Sequence, residues 1–164
     1  MLKLGITTTL AAATLVAFAV AMPAGATVPP KTLAFTASYA GTAGVQVTDN
    51  VANITAQGSG AGTMLAASKI SGKGTGDASA QPCVPFSGPG TIIAANGTKL
   101  FFTVVAGSQA CGDEQGETFS ISAKATVSKG TLKLVKAKGT LKITGVYDHT
   151  AGTFSIKFKG NLTY

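Results

Sequence analysis

FSISAKATVS at Phe119–Ser128 and FSIKFKGNLTY at Phe154–Tyr164 point to a β fold. In the first, Phe119, Ile121, Ala123, Ala125 and Val127 alternate with Ser120, Ser122, Lys124, Thr126 and Ser128. In the second, Phe154, Ile156, Phe158, Leu162 and Tyr164 alternate with Ser155, Lys157, Lys159, Asn161 and Thr163. Strict alternation marks a β-strand with one face in a core and the other in water.

Working outward, Leu141, Ile143 and Tyr147 share one face of another strand, and Asp148–Gly152 reads as the turn that follows. Leu132 and Leu134 start an element that loses its alternation around Val135 to Lys138. Thr91–Ala95 and Thr98–Ala106 flank Asn96-Gly97, a hairpin signal, because both residues tolerate the positive φ of a type I′ turn. Thr32–Ala40 reads as a strand, Val45–Ala56 as a strand broken at Asp49-Asn50, and Thr63–Ile70 as a weakly patterned strand. Gly41–Gly44 reads as a turn, Gly58-Ser59-Gly60 as a bend, and Gly107–Gly116 as a polar loop. The stretch from Ser71 to Gly90, dense in Gly and Pro, reads as one long loop.

The total is about eight strands at the spacing of an antiparallel sandwich or barrel. Closure into a single eight-stranded antiparallel β-barrel removes the exposed sheet edges, so an all-β barrel is expected. Phe102, Phe119, Ile121, Leu141, Ile143, Phe154, Ile156, Phe158 and Leu162 then share its core.

The N-terminus reads differently. Lys3 precedes an apolar run from Leu10 to Met22, which ends at Pro23 and Ala24-Gly25-Ala26. Small residues at 24 and 26 suit a signal peptidase, so residues 1–26 are expected to be a cleaved signal peptide. The run is too short for a membrane span, which needs about 20 residues. Residues 27–31 then form a linker and 32–164 one barrel domain, secreted or held in the cell envelope.

The chain has no Trp, and all of its basic side chains except His149 are lysine. Its two cysteines, Cys83 and Cys111, both lie in the exported part, where an even pair reads as a disulfide. Closing a loop of about 30 residues stabilises by about 3–4 kcal/mol on the chain-entropy model.

Charge is uneven. Between residues 27 and 123 four lysines face five acids, whereas between 124 and 164 eight lysines face only Asp148. On the core register above, Lys124, Lys133, Lys142, Lys157 and Lys159 point outward from consecutive strands and should form one basic face. Such a face either keeps the protein soluble and guards its strands, or binds acidic polymers of an envelope or matrix.

The last fifty residues or so carry Gly130-Thr131, Leu134, Ala137, Gly139-Thr140-Leu141, Ile143, Gly145, Asp148, Gly152, Phe154, Phe158, Gly160, Leu162 and Tyr164. This pattern resembles the closing strands of bacterial secreted proteins similar to allene oxide cyclases and dirigent proteins. Where that superfamily has Gly-Gly-Thr-Gly, a basic residue and Phe, this chain has Lys129 for the first Gly, Leu132 for the third, and Lys133-Leu134. The resemblance implies an eight-stranded antiparallel barrel. No catalytic residue of the plant enzymes maps onto the chain.

Other chemistry reads as background. His149 sits in a turn beside Asp148, where neighbouring side chains diverge, so it reads as solvated and not as part of a triad. Asp113, Glu114 and Glu117 lack any calcium-loop spacing. Gly72, Gly74 and Gly76 around Lys73 lack the Lys-Ser/Thr and helix of a phosphate loop. Asn53, Asn96 and Asn161 open Asn-x-Thr triplets of the kind a Thr-rich chain produces by chance. A membrane barrel would turn Lys124, Lys142, Lys157 and Lys159 into a narrow lumen almost without acids, at prohibitive cost.

No cofactor, metal, nucleic-acid partner or integral membrane insertion is therefore expected. A non-catalytic binding or envelope-associated barrel is the leading expectation, with acidic envelope polymers or an apolar small ligand as partner. The alternative is a cyclase- or isomerase-type enzyme, or a carrier, acting on a lipophilic molecule in the barrel.

Overall fold

The computed structural model describes residues 30–164; the expected export signal, its cleavage site and most of the linker lie outside the described residues. Nine strands follow: β1 (Thr32–Thr48), β2 (Val51–Gly62), β3 (Ala66–Asp77), β4 (Cys83–Ala94), β5 (Lys99–Val104), β6 (Gln109–Gly112), β7 (Thr118–Gly130), β8 (Lys138–Asp148) and β9 (Thr153–Thr163). A single 3-10 turn, Leu132–Leu134, lies between β7 and β8. All pairings are antiparallel; the strand order β3-β2-β1-β9-β8-β7-β5-β4 is completed by pairing of β3 with β4, so the sheet closes on itself.

Eight strands make the ring, and β6 is an addition to it. β5 covers one part of the seam between β4 and β7, at Gly88–Ile93 and Ala125–Gly130. β6 covers the rest, at Cys83–Pro85 and Phe119–Ser122. Ser108 bridges the break between them. Its buried hydroxyl donates to the Val105 carbonyl (2.7 Å) and accepts from the Lys124 amide (3.1 Å).

The barrel expectation holds, and so does the core. Phe102, Leu141, Ile143, Phe154, Phe158 and Leu162 are buried, and Phe119, Ile121 and Ile156 are half-buried on the same inner face. Phe158 is central, meeting Tyr39 and Phe102 edge-on at 5.9 and 5.4 Å between ring centres. The interior is mainly apolar, and Lys, Ser and Thr predominate on the outer wall.

Five local readings are corrected. Gly41–Gly44 is not a turn but the middle of β1, and Gly58–Gly60 is strand, not bend. Ser71–Gly90 is not a loop: it holds the end of β3, a short turn and most of β4. The polar loop at 107–116 contains β6. The type I′ turn is at Asp49-Asn50, both at positive φ (50° and 63°), where Thr48 pairs with Val51. At Asn96-Gly97 only Gly97 takes positive φ (81°), and the Asn96 side chain accepts from the Thr98 amide.

The glycines explain the first corrections. In β3 and β4, Gly72, Gly74, Gly76, Gly88 and Gly90 occupy every second position, facing inward, while Ser71, Lys73, Thr75, Ser87 and Pro89 face out. A Cβ at Gly90 would lie 2.3 Å from the Phe102 ring, and one at Gly60 would lie 2.7 Å from the Tyr39 ring. Glycine is needed at Gly90 because a ring occupies the side-chain space, and at Gly60, Gly74 and Gly88 because a carbonyl of the neighbouring strand does, not because the chain turns.

Candidate functional site

The two ends of the barrel differ. At one, Leu65 from the β2–β3 turn and Leu134 and Ala137 from the β7–β8 connection are buried in the core, plugging it. At the other, inward-facing Ile54, Phe86, Val104, Ile121 and Ile156 stay partly exposed, forming a mouth. Phe119, Tyr147 and His149 gather there with ring centres 6.1–6.3 Å apart. Tyr147 has its hydroxyl held above the usual tyrosine range by burial and by the nearby Asp148 charge.

Charge is sorted along the same axis. All six acids of the chain stand at the mouth: Asp49 in the β1–β2 turn, Asp77 and Asp148 at the ends of β3 and β8, and Asp113, Glu114 and Glu117 in the β6–β7 loop. Lys31, Lys99, Lys129, Lys133, Lys136 and Lys138 stand at the plugged end. No lysine lies in a mouth loop.

The acidic loop is internally occupied. One Asp113 carboxylate oxygen accepts from the Glu117 amide (2.9 Å) and the other from the Thr118 amide (3.1 Å), so this side chain holds its own turn. Among the described residues no three His, Cys, Asp or Glu side chains gather as a metal site. His149 is exposed and its backbone amide donates to the Glu117 carbonyl. Tyr39 and Ser68 form a buried hydroxyl pair at 2.8 Å, and burial holds the tyrosine hydroxyl above its ordinary range, so it stays neutral.

Cys83 and Cys111 are disulfide-bonded across β4 and β6, directly opposite in register with Cα atoms 3.9 Å apart. The bridge joins two strands, where the sequence pointed to two loops.

The wall lysines meet more closely than the sequence implied. Lys124 pairs with Lys142, and Lys142 with Lys159, so three ammonium-bearing side chains sit side by side across β7, β8 and β9. Strands lie about 4.8 Å apart, and like charges directly opposite are destabilising. Lys157 stands two residues from Lys159, opposite Thr144 and Ser38. Lys133 leaves this face. It lies in the 3-10 turn at the plugged end, so the expected face of five lysines is a wall of four and a separate end group.

A concavity of about 570 Å³ runs over the outside of β2, β1, β9 and β8, lined by Lys142, Lys157 and Lys159 with hydroxyls from Thr36, Ser38, Thr63 and Thr144. A second, of about 650 Å³, lies on the outside of β1–β4 with Lys73 as its one charged residue. The hydroxyl residues of the first were not singled out in the sequence. The outward parity of Thr36 and Ser38 was readable beside Phe35, Ala37 and Tyr39, but their position beside lysines more than a hundred residues away was not.

No protein-family model matches the chain, and neither a curated protein nor a solved structure is significantly similar to it.

Proposed function

We propose that this chain is a secreted, non-catalytic barrel whose outer wall binds acidic polymers of a cell envelope. The observation that carries the reading is the lysine row Lys124–Lys142–Lys159 running into the hydroxyl-lined concavity, without an acid among its lining residues. Three like charges held in register cost stability unless a counter-charge is supplied, and a chain of carboxylates, sulfates or phosphates supplies it. The hydroxyls add hydrogen bonds suited to a sugar or polyol backbone. Lysine is a flexible point charge, so the binding is weakly specific and falls with salt. The disulfide is compatible with an extracellular place, and secretion rests on the Ala24-Gly25-Ala26 cleavage pattern.

The test is elution from an anionic polysaccharide matrix over a salt gradient. The variant with Lys124, Lys142, Lys157 and Lys159 all changed to Gln should elute much earlier than wild type. Equal elution would overturn the proposal and leave a solubilising face.

A second reading is favoured by the mouth. Inward-facing Ile54, Phe86, Ile121 and Ile156, partly open to solvent beside Tyr147 and His149, suit an apolar small molecule entering the barrel. Carriage or cyclase-type folding of such a molecule belongs here, as does the proposed kinship with allene oxide cyclases and dirigent proteins.

A further inference from the structure

We infer that the plugged end of the barrel is a docking surface for an anionic lipid bilayer, entered by Leu132 and Val135. This goes beyond the polymer-binding wall and uses different residues. Leu132 and Val135 are 64% and 62% exposed, the two most exposed large apolar side chains among the described residues. They share one short connection with Leu134 and Ala137, which are buried and anchor it to the core. The anchored pair holds the other two outward, so their exposure is built into the connection.

The backbone supports this. Leu132 takes φ +53°, a left-handed conformation that a bulky residue adopts only against strain. Glycine would sit there freely. A strained leucine with its side chain in water gains nothing within this chain, which is the pattern expected where the gain comes from a contact outside it.

Charge selects the partner. Lys129, Lys133, Lys136 and Lys138 flank the two apolar side chains, Lys99 opens β5 at the same end, and every acid lies at the opposite end. Lys129 is held over the Phe101 ring at 5.4 Å, which fixes one of these cations. Exposed apolar side chains at a lysine-rich end match an anionic bilayer: the apolar groups enter the boundary region and the ammonium groups meet the headgroups. The resulting axial charge separation also orients the molecule, mouth away from the surface. Val47 and Val51 provide an internal contrast. They are also exposed at a hairpin tip, but beside Asp49 at the acidic end.

The experiment is co-sedimentation with vesicles of phosphatidylcholine alone and of phosphatidylcholine with phosphatidylglycerol in equal parts. Wild type should bind the second and not the first, and lose binding as salt is raised. Leu132→Gly with Val135→Ser should weaken binding roughly tenfold. That change relieves the strained backbone, so unfolding would not explain the loss. Lys133→Gln with Lys136→Gln should weaken binding to a similar degree, and Val47→Ser with Val51→Ser should leave it unchanged. The chain has no Trp, so Leu132→Trp is a clean reporter. Its emission should shift blue on the anionic vesicles, and that of Val47→Trp should not. Failure of wild type to bind them, or equal binding by the Leu132/Val135 variant, would overturn the inference. So would binding abolished by changing the wall lysines with no reporter shift, since that pattern belongs to the polymer-binding face alone.

Discussion

The wall of β2, β3 and β4 and the wall of β7, β8 and β9 enclose the same core by opposite means. The first points glycine inward at Gly58, Gly60, Gly72, Gly74, Gly76, Gly88 and Gly90. The second points Ile121, Val127, Leu141, Ile143, Phe154, Phe158 and Leu162 inward and carries the lysines outside. A small barrel has room for one thick lining, so bulk on one wall demands its absence on the other. The thick wall therefore supplies more of the apolar burial than the thin wall, which depends on backbone pairing, close approach and the disulfide.

The largest effect should come from breaking the thick wall. Phe158→Ala removes a ring packed against both Tyr39 and Phe102 and should cost about 3–5 kcal/mol in denaturant unfolding. A loss under about 1 kcal/mol would mean that the glycine wall carries the core after all. Next is the staple on the thin side. Cys83→Ala with Cys111→Ala should cost about 3–4 kcal/mol and loosen the β4–β6 seam, where there is little side-chain packing to replace it. Hydrogen exchange at β6 amides reports that loosening locally.

A third pair of changes tests the thin wall position by position. Gly90→Ala should cost about 1–3 kcal/mol, because the new methyl meets the Phe102 ring. Gly72→Ala meets nothing closer than 3.5 Å and should be neutral, or stabilising by up to about 1 kcal/mol through the unfolded chain. Equal costs at the two sites would show that ring contact is not what selects glycine.

Alkaline titration probes the interior between the walls. Burial raises the Tyr39 pKa above its ordinary 10.0 in the folded state, so above that pH the unfolded chain releases a proton that the folded one keeps. Stability should fall as pH climbs from there toward the raised value, by up to about 1.4 kcal/mol per pH unit, and Tyr39→Phe should flatten that slope. The smallest effect is on the outer face. Lys142→Gln relieves repulsion from Lys124 and Lys159 and should raise stability by a few tenths of a kcal/mol at low salt, less at high salt. A loss of stability instead would indicate that these lysines find counter-charges within the chain.

The thick wall was legible in the sequence for a simple reason. Its alternation of Phe, Ile and Leu with Lys and Ser is contrast between side chains, and β7, β8 and β9 follow it closely. The thin wall was not legible, because glycine carries no contrast and is ordinarily a mark of turns. In GKGTG at Gly72–Gly76 the period of two was present, but its meaning depended on β4 coming alongside, where the Ser87 and Pro85 carbonyls take the space a Cβ would need at Gly74 and Gly76.

The candidate surfaces divide in the same way. Strand parity settles which lysines face water, since parity is a property of a single strand, and the cysteine pairing follows from there being only two. Which residues become neighbours across strands depends on register, which belongs to pairs of strands and not to one. The β7–β8 and β8–β9 pairings set Lys124, Lys142 and Lys159 side by side, the β7–β8 connection carries Lys133 to the plugged end, and the up-and-down strand order gathers all six acids at the mouth. Alternation along β7, β8 and β9 was enough to give the faces of those strands and the all-β class; the glycine-lined wall and the neighbours across strands came only with folding, because adjacency in a barrel joins segments that the chain keeps apart.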